Sequence, residues 1–213
     1  MGTYRKGILG AFFGKVGTVV GSTWNGIDYM RSLPRRSGKA ATDAQLEQRV
    51  KLAMAAGFLG PVSSLVNTGF KSVAVNQSGF NVATSLLISE AISGTYPNFL
   101  IDYPKVLISK GNLTGPWNVQ ISSAAPSALD INWTDNTGSG TAKGTDKAVV
   151  MIYNPVQSQY VFTLEGSQRS AAGDVLALPA DFSGDTVEVW IAFISADKKT
   201  ISTSIYAGNA VIA

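Results

Sequence analysis

Cysteine and histidine are both missing from this 213-residue chain. Without cysteine there is no disulfide, no thiolate nucleophile and no sulfur ligand for a metal. Without histidine the chain also lacks the commonest general base, the commonest metal ligand and the usual switch near neutral pH. Charge is scarce too: 15% of residues are charged, against roughly 25% in an average domain. The 45% apolar fraction excludes disorder, so much of the exterior must be small, neutral or apolar. Monomers keep apart through mixed surface charge, and large uncharged surfaces usually end up buried against something. The composition therefore points to a homo-oligomer.

Long hydrophobic runs are absent as well. None approaches the roughly 20 residues of a membrane span, and the short basic start is followed by neither a continuous apolar segment nor a clear cleavage site. The expectation is a protein without a signal peptide, cytoplasmic or part of an exported particle. The charges that exist are unevenly placed. Residues 1–71 hold ten basic and three acidic side chains, net +7, while the remainder holds seven and eleven, net −4. A basic front could meet nucleic acid, or it could pair head to tail with the acidic back of another copy.

What the chain does have is glycine, above all in "GAFFGKVGTVVGSTWNGIDYMRSLPRR", residues 10–36. Gly14, Gly17 and Gly21 match neither a dinucleotide fingerprint nor a Walker loop, and no strand and helix flank them to aim N–H groups at a phosphate. The β-branched run "GKVGTVVGST" and the following "WNGIDYMRS" read instead as a two-stranded ribbon turning at Asn25-Gly26. Such a ribbon is marginal unless it packs on something larger, and it lacks the guards that natural edges carry. Docked on a neighbouring sheet, it would bury Phe12, Phe13, Val16 and Val19, with Trp24 and Tyr29 beside them. Arg31, Arg35, Arg36 and Lys39 follow as a group able to face acidic surface of a partner. The same cations, with Arg49 and Lys51, could neutralise phosphates while Trp24 and Tyr29 stack on bases.

"LPRRSGKAA" is a loop. Thr42, Asp43 and Gln45 then form a capping-box signal for a helix carrying Leu46, Val50, Ala53 and Met54. Gly57 to Pro61 should break it, with Pro61 at the first position of a second helix containing Val62, Leu65, Val66 and Phe70. A third helix is predicted over 79–93, closed by Gly94. From Tyr96 the pattern changes to eight short β-rich runs, from "PKVLIS" to "TISTSIYAG", separated by turn residues. Leu129, Ile131 and Trp133 alternate onto one face, and so do Val187, Val189, Ile191 and Phe193, with Trp190 opposite. The expected architecture is α+β: a β ribbon and helices over 1–99, then an antiparallel sandwich over 100–213 that resembles fibronectin type III and immunoglobulin-like modules.

The ordered segments "GKVGTVVGSTWNGIDYMRSLP", "QLEQRVKLAMAAGFL", "GTYPNFLIDYPKVLISKGNL" and "ISTSIYAG" resemble a domain-of-unknown-function family of roughly 200-residue bacterial proteins, over nearly the full length. The resemblance implies this architecture. It implies no activity and assigns no functional residue.

Other chemistry finds little support. Ser195 and Lys198 have the spacing of a dyad but sit in a turn-like "SADKK". Asp130, Asp135, Asp181 and Asp185 lie in or beside turns, where acids usually satisfy local N–H groups; a Ca²⁺ site there is a minor alternative. Trp117, Trp133 and Trp190 are the candidates for a sugar platform. No catalytic residue, metal or cofactor is expected. The reading that joins low charge, charge asymmetry and an unguarded ribbon is a non-enzymatic, self-assembling subunit of a particle, tube or filament, with phage origin one setting. A nucleic-acid- or glycan-binding adaptor is the alternative.

Overall fold

The computed structural model describes every residue except 1, 5, 6, 8, 9, 25 and 35–37, and the backbone alone of Tyr4. It divides into two compact units, Met1–Asp43 and Ala44–Ala213.

The first unit is a four-stranded antiparallel sheet in sequence order, β1 (Thr3–Tyr4), β2 (Phe12–Val16), β3 (Val19–Trp24) and β4 (Ile27–Ser32). The predicted turn at 25–26 joins β3 to β4, with Trp24 opposite Ile27 and Gly26 at φ +79; Asn25 lies outside the described residues. The run expected to be one strand contains a second turn. Val16 pairs with Val19, and Gly17 takes the intervening left-handed position at φ +57, which glycine adopts without strain. Gly21 has a different reason to be glycine: a Cβ there would lie 2.1 Å from the carbonyl oxygen of Phe12. Backbone approaches backbone so closely that no side chain fits.

In the second unit α1 (Asp43–Leu59) begins directly after Thr42, where the capping signal put it. Gly57 does not interrupt it, and the helix runs on to Leu59, just before Gly60. Pro61 precedes α2 (Ser63–Gly69) by two residues rather than opening it. Ser78 caps α3 (Gly79–Leu86), its Oγ accepting from Asn81 N at 3.2 Å. A π-helical turn, Leu87–Ala91, extends α3. Gly94 does not close this helix; it belongs to an unforeseen hairpin of β5 (Ile92–Thr95) and β6 (Asn98–Ile101). No single helix among the described residues is long and apolar enough to cross a membrane.

Seven strands make the sandwich: β7 (Trp117–Ser122), β8 (Ala128–Thr134), β9 (Lys147–Asn154), β10 (Gln159–Thr163), β11 (Gly173–Ala177), β12 (Thr186–Ile194) and β13 (Ile205–Val211). They form a three-stranded sheet, β11-β8-β7, and a four-stranded sheet, β10-β9-β12-β13. The fold is fibronectin type III-like, and "PKVLIS" is not part of it. That segment is a 3-10 turn and an extended stretch held by side chains: Ser204 Oγ accepts from Ile108 N at 2.9 Å, and Ser109 Oγ donates to Ser202 O at 2.8 Å.

Alternation along the strands explains two cores. Leu129, Ile131 and Trp133 meet Val150, Ile152, Val187, Val189, Ile191 and Phe193 between the sheets. On the other side of β9 and β12, Val149, Met151, Tyr153, Trp190 and Ala192 meet Phe58, Leu59, Leu65, Val66 and Phe70 from the helices. The expected boundary near residue 100 is therefore displaced. The helices share a core with the sandwich, so the compact unit starts at Ala44.

Candidate docking surface

The pairing register of β2, β3 and β4 decides which side chains share a face, because opposite residues in a ladder point the same way. Phe12, Val16 and Val19 fall on one face with Gly21 and Met30; Phe13, Trp24 and Tyr29 fall on the other with Val20, Ile27 and Arg31. The residues expected to form one docking surface are thus divided between two. On the first face Val16 is 51% and Met30 71% exposed, and on the second Trp24 is 48% and Ile27 54% exposed. Phe12 and Phe13 are half-buried. Gly21 is the one buried residue of β2, β3 and β4. A sheet with apolar groups on both faces is unusual, since one buried and one wet face is the common pattern.

Arg31 lies on β4 and Lys39 in the segment before α1, both exposed; Arg35 and Arg36 lie outside the described residues. Of the other cations considered for phosphate contact, Arg49 is exposed on α1. Lys51 is committed within the chain, pairing with Glu47 at 2.7 Å and lying 4.8 Å from the Phe99 ring centroid. It is therefore poorly placed to neutralise a phosphate.

The sandwich residues singled out for chemistry are occupied structurally. Ser195 Oγ donates to Asp197 Oδ1 at 2.6 Å, while Lys198 pairs with Glu165, so the two form no dyad. The hydroxyl of Thr137, then its N–H, hold the Asp135 carboxyl below the usual carboxylate range. Asp185 accepts from Asn154 Nδ2 at 2.8 Å and Gln157 Nε2 at 2.9 Å, which leaves it a loop fastener. No group of three or more acidic side chains able to hold a metal exists among the described residues. Trp133 and Trp190 are buried, Trp190 donating its Nε1–H to Tyr103 O at 3.2 Å. Trp117 remains half exposed at the start of β7.

Sequence reasoning missed one arrangement entirely. Arg169 is fully buried, and its Nη2 lies 3.2 Å from Asp146 Oδ2. It also donates to Asn136 Oδ1 at 2.6 Å and Thr114 O at 2.8 Å, and its guanidinium lies 3.9 Å from the Phe193 ring centroid. Burial pulls its pKa down, and Asp146 works against that shift. Nothing in "GSQRSAAGD" distinguishes this arginine from a solvated loop residue, since its partners lie far away in sequence.

A single family profile covers residues 11–208, nearly the whole chain. The chain belongs to that family, DUF6266, a family of unknown function. No curated protein matches. Among solved structures, the chain is similar to the fn3 domain of human collagen alpha-1(XX) chain, at 15% identity and a TM-score of 0.34, covering 48% of this chain and 88% of that one. It is also similar to the fn3 domain of human contactin 1, at 11% identity and a TM-score of 0.31, covering 49% and 83%. DUF6266 membership brings no activity with it, so function has to be argued from the surfaces described above.

Proposed function

We propose that the chain is a non-enzymatic structural subunit that assembles with further copies of itself through the sheet of residues 12–32. One observation supports this most: large apolar side chains stand exposed on both faces of a sheet that buries almost nothing of its own. Exposed apolar patches of that kind mark contact surfaces. The sign of the charge agrees, because Met1–Asp43 carries seven basic and two acidic residues and Ala44–Ala213 ten and twelve. A basic sheet of one copy and the acidic unit of the next would attract one another. Phe12, Val16 and Val19 serve one contact in this reading, and Phe13, Trp24 and Tyr29 a second, so each copy could join two neighbours.

Light scattering at low and high salt tests it, on the full chain and on a chain carrying Val16→Glu and Met30→Glu. Particles well above 22.4 kDa that fall to single chains on substitution are expected. A full-length monomer at both salt concentrations would overturn the proposal.

A further inference from the structure

At one end of the sandwich a cleft of about 570 Å³ opens between the β8–β9 loop and the β12–β13 loop. That volume is within the roughly 300–1,000 Å³ of small-ligand pockets. Both walls are fastened from behind. In the β8–β9 loop, Asp146 Oδ2 accepts from Lys143 N at 2.8 Å and from the buried Arg169, and Thr141 Oγ1 is 3.2 Å from Thr114 Oγ1. In the opposite loop, Ser195 N donates to Thr200 O at 2.9 Å. A site whose walls are already ordered loses little entropy on binding.

Several polar groups of this cleft have no work to do in the fold. The ammonium of Lys143 makes no ion pair with a described residue, and the hydroxyls of Thr145 and Thr200 make no hydrogen bond with one. Asp146 lines the cleft at 1% exposure, and its Oδ1 is the one buried side-chain oxygen or nitrogen without a hydrogen-bond partner among the described residues. A carboxylate oxygen left so is costly, and a donor brought by a bound molecule or by a water it holds would remove the cost. The charges narrow the class. Asp146 is balanced by Arg169, and Asp197 by Lys199 at 3.7 Å, which leaves Lys143 as the unmatched charge. Leu113 and Ala196 supply a small apolar patch, with no aromatic ring in the lining.

We propose that this cleft binds an acidic saccharide. Its carboxylate pairs with Lys143, its hydroxyls donate to Asp146 and exchange hydrogen bonds with Thr145 and Thr200, and its C–H groups rest on Leu113. Hydroxyl groups suit such a lining because each both donates and accepts. The lining includes no residue of 12–32 and no tryptophan, and the proposal does not depend on the assembly reading.

Calorimetry and saturation-transfer NMR on the full chain test it, with glucuronic acid, glucose and acetate as probes. Glucuronate should bind about tenfold or more tightly than glucose, as a charge-assisted contact implies, and acetate should give no signal in the same range. Lys143→Ala should reduce glucuronate to the level of glucose, and Thr145→Val should weaken both sugars while the thermal melt stays unchanged. Equal binding of the two sugars, binding of acetate alone, an inert Lys143→Ala, or silence from all three probes at about 10 mM each overturns the proposal.

Discussion

The two compact units treat their strands in opposite ways. In Ala44–Ala213, β9 and β12 are near-continuous apolar runs, buried on one face by the partner sheet and on the other by the helices. In Met1–Asp43, the strands are spaced by glycine and keep Val16, Trp24, Ile27 and Met30 exposed. Continuous hydrophobicity is satisfied within the chain. Interrupted hydrophobicity, with glycines that let backbones close up, leaves a thin sheet whose apolar groups are available to another surface. The second unit holds the buried cores, the first is the one proposed to carry the contacts, and each half of that contrast can be attacked separately.

The largest effect belongs to the buried pair. Asp146→Ala would strand Arg169, which cannot shed its charge, and breaking such a pair costs about 3–5 kcal/mol. Denaturant unfolding of the full chain should show that loss in the transition of the sandwich. Replacing both partners, Asp146→Leu with Arg169→Met, should recover only part of it: the ion pair is then removed as a whole, but Asn136 Oδ1, Thr114 O and Lys143 N lose their partners. A loss below about 1 kcal/mol for Asp146→Ala, the scale of an exposed pair, would mean that the arginine reaches water.

A smaller effect on stability, and a large one on mass, is expected from Gly21→Ala. The new methyl would meet the Phe12 carbonyl oxygen at 2.1 Å, so β2 and β3 must part. Under the assembly proposal, scattering should then report single chains. Calorimetry should show the main transition shifted by no more than about 0.5 kcal/mol, as for a change remote from the core. If that transition fell with the mass, the contrast between a stable unit and a contact unit would be wrong.

How much of this was legible follows from the range of the interactions involved. The turn at 25–26, the Thr42 helix start and the alternation of Leu129, Ile131 and Trp133 are local signals, and each is found where it was predicted. Trp190 was placed correctly opposite the inner face. Its burial was not foreseen, because the cover comes from helices more than a hundred residues away in sequence. The same distance hid the shared core, and with it the unit boundary at 43–44. The docking residues fall on two faces partly because Phe12 and Phe13 are consecutive on β2, and strand neighbours point to opposite sides. How β3 and β4 align with them follows from the turn at Gly17 and its register. The Arg169 cluster joins four separate loops and strand ends, and no spacing in the sequence encodes it.

The smallest expected effect uses pH to separate the units. Burial, and then the neighbouring Tyr153, raise the pKa of Tyr160 well above its ordinary value of 10.0. Burial and the hydrogen bond to Glu188 do the same for Tyr206. A folded pKa above the unfolded one means that the native state keeps a proton which the unfolded chain gives up. The stabilisation is complete below about pH 10, the unfolded tyrosine value, and is lost progressively as pH rises beyond it towards the folded value. Tyr160→Phe keeps the ring that packs on Phe58 and Tyr153 and removes the proton. Denaturant midpoints at pH 8 and pH 11 should therefore converge for Tyr160→Phe relative to the parent chain, with Tyr206→Phe adding to the effect. Parallel declines in parent and variants would show that the alkaline loss arises elsewhere than in this aromatic cluster. Confinement of the change to the main transition, with the assembled mass untouched, would sharpen the division between the unit that holds the fold and the sheet proposed to hold its neighbours.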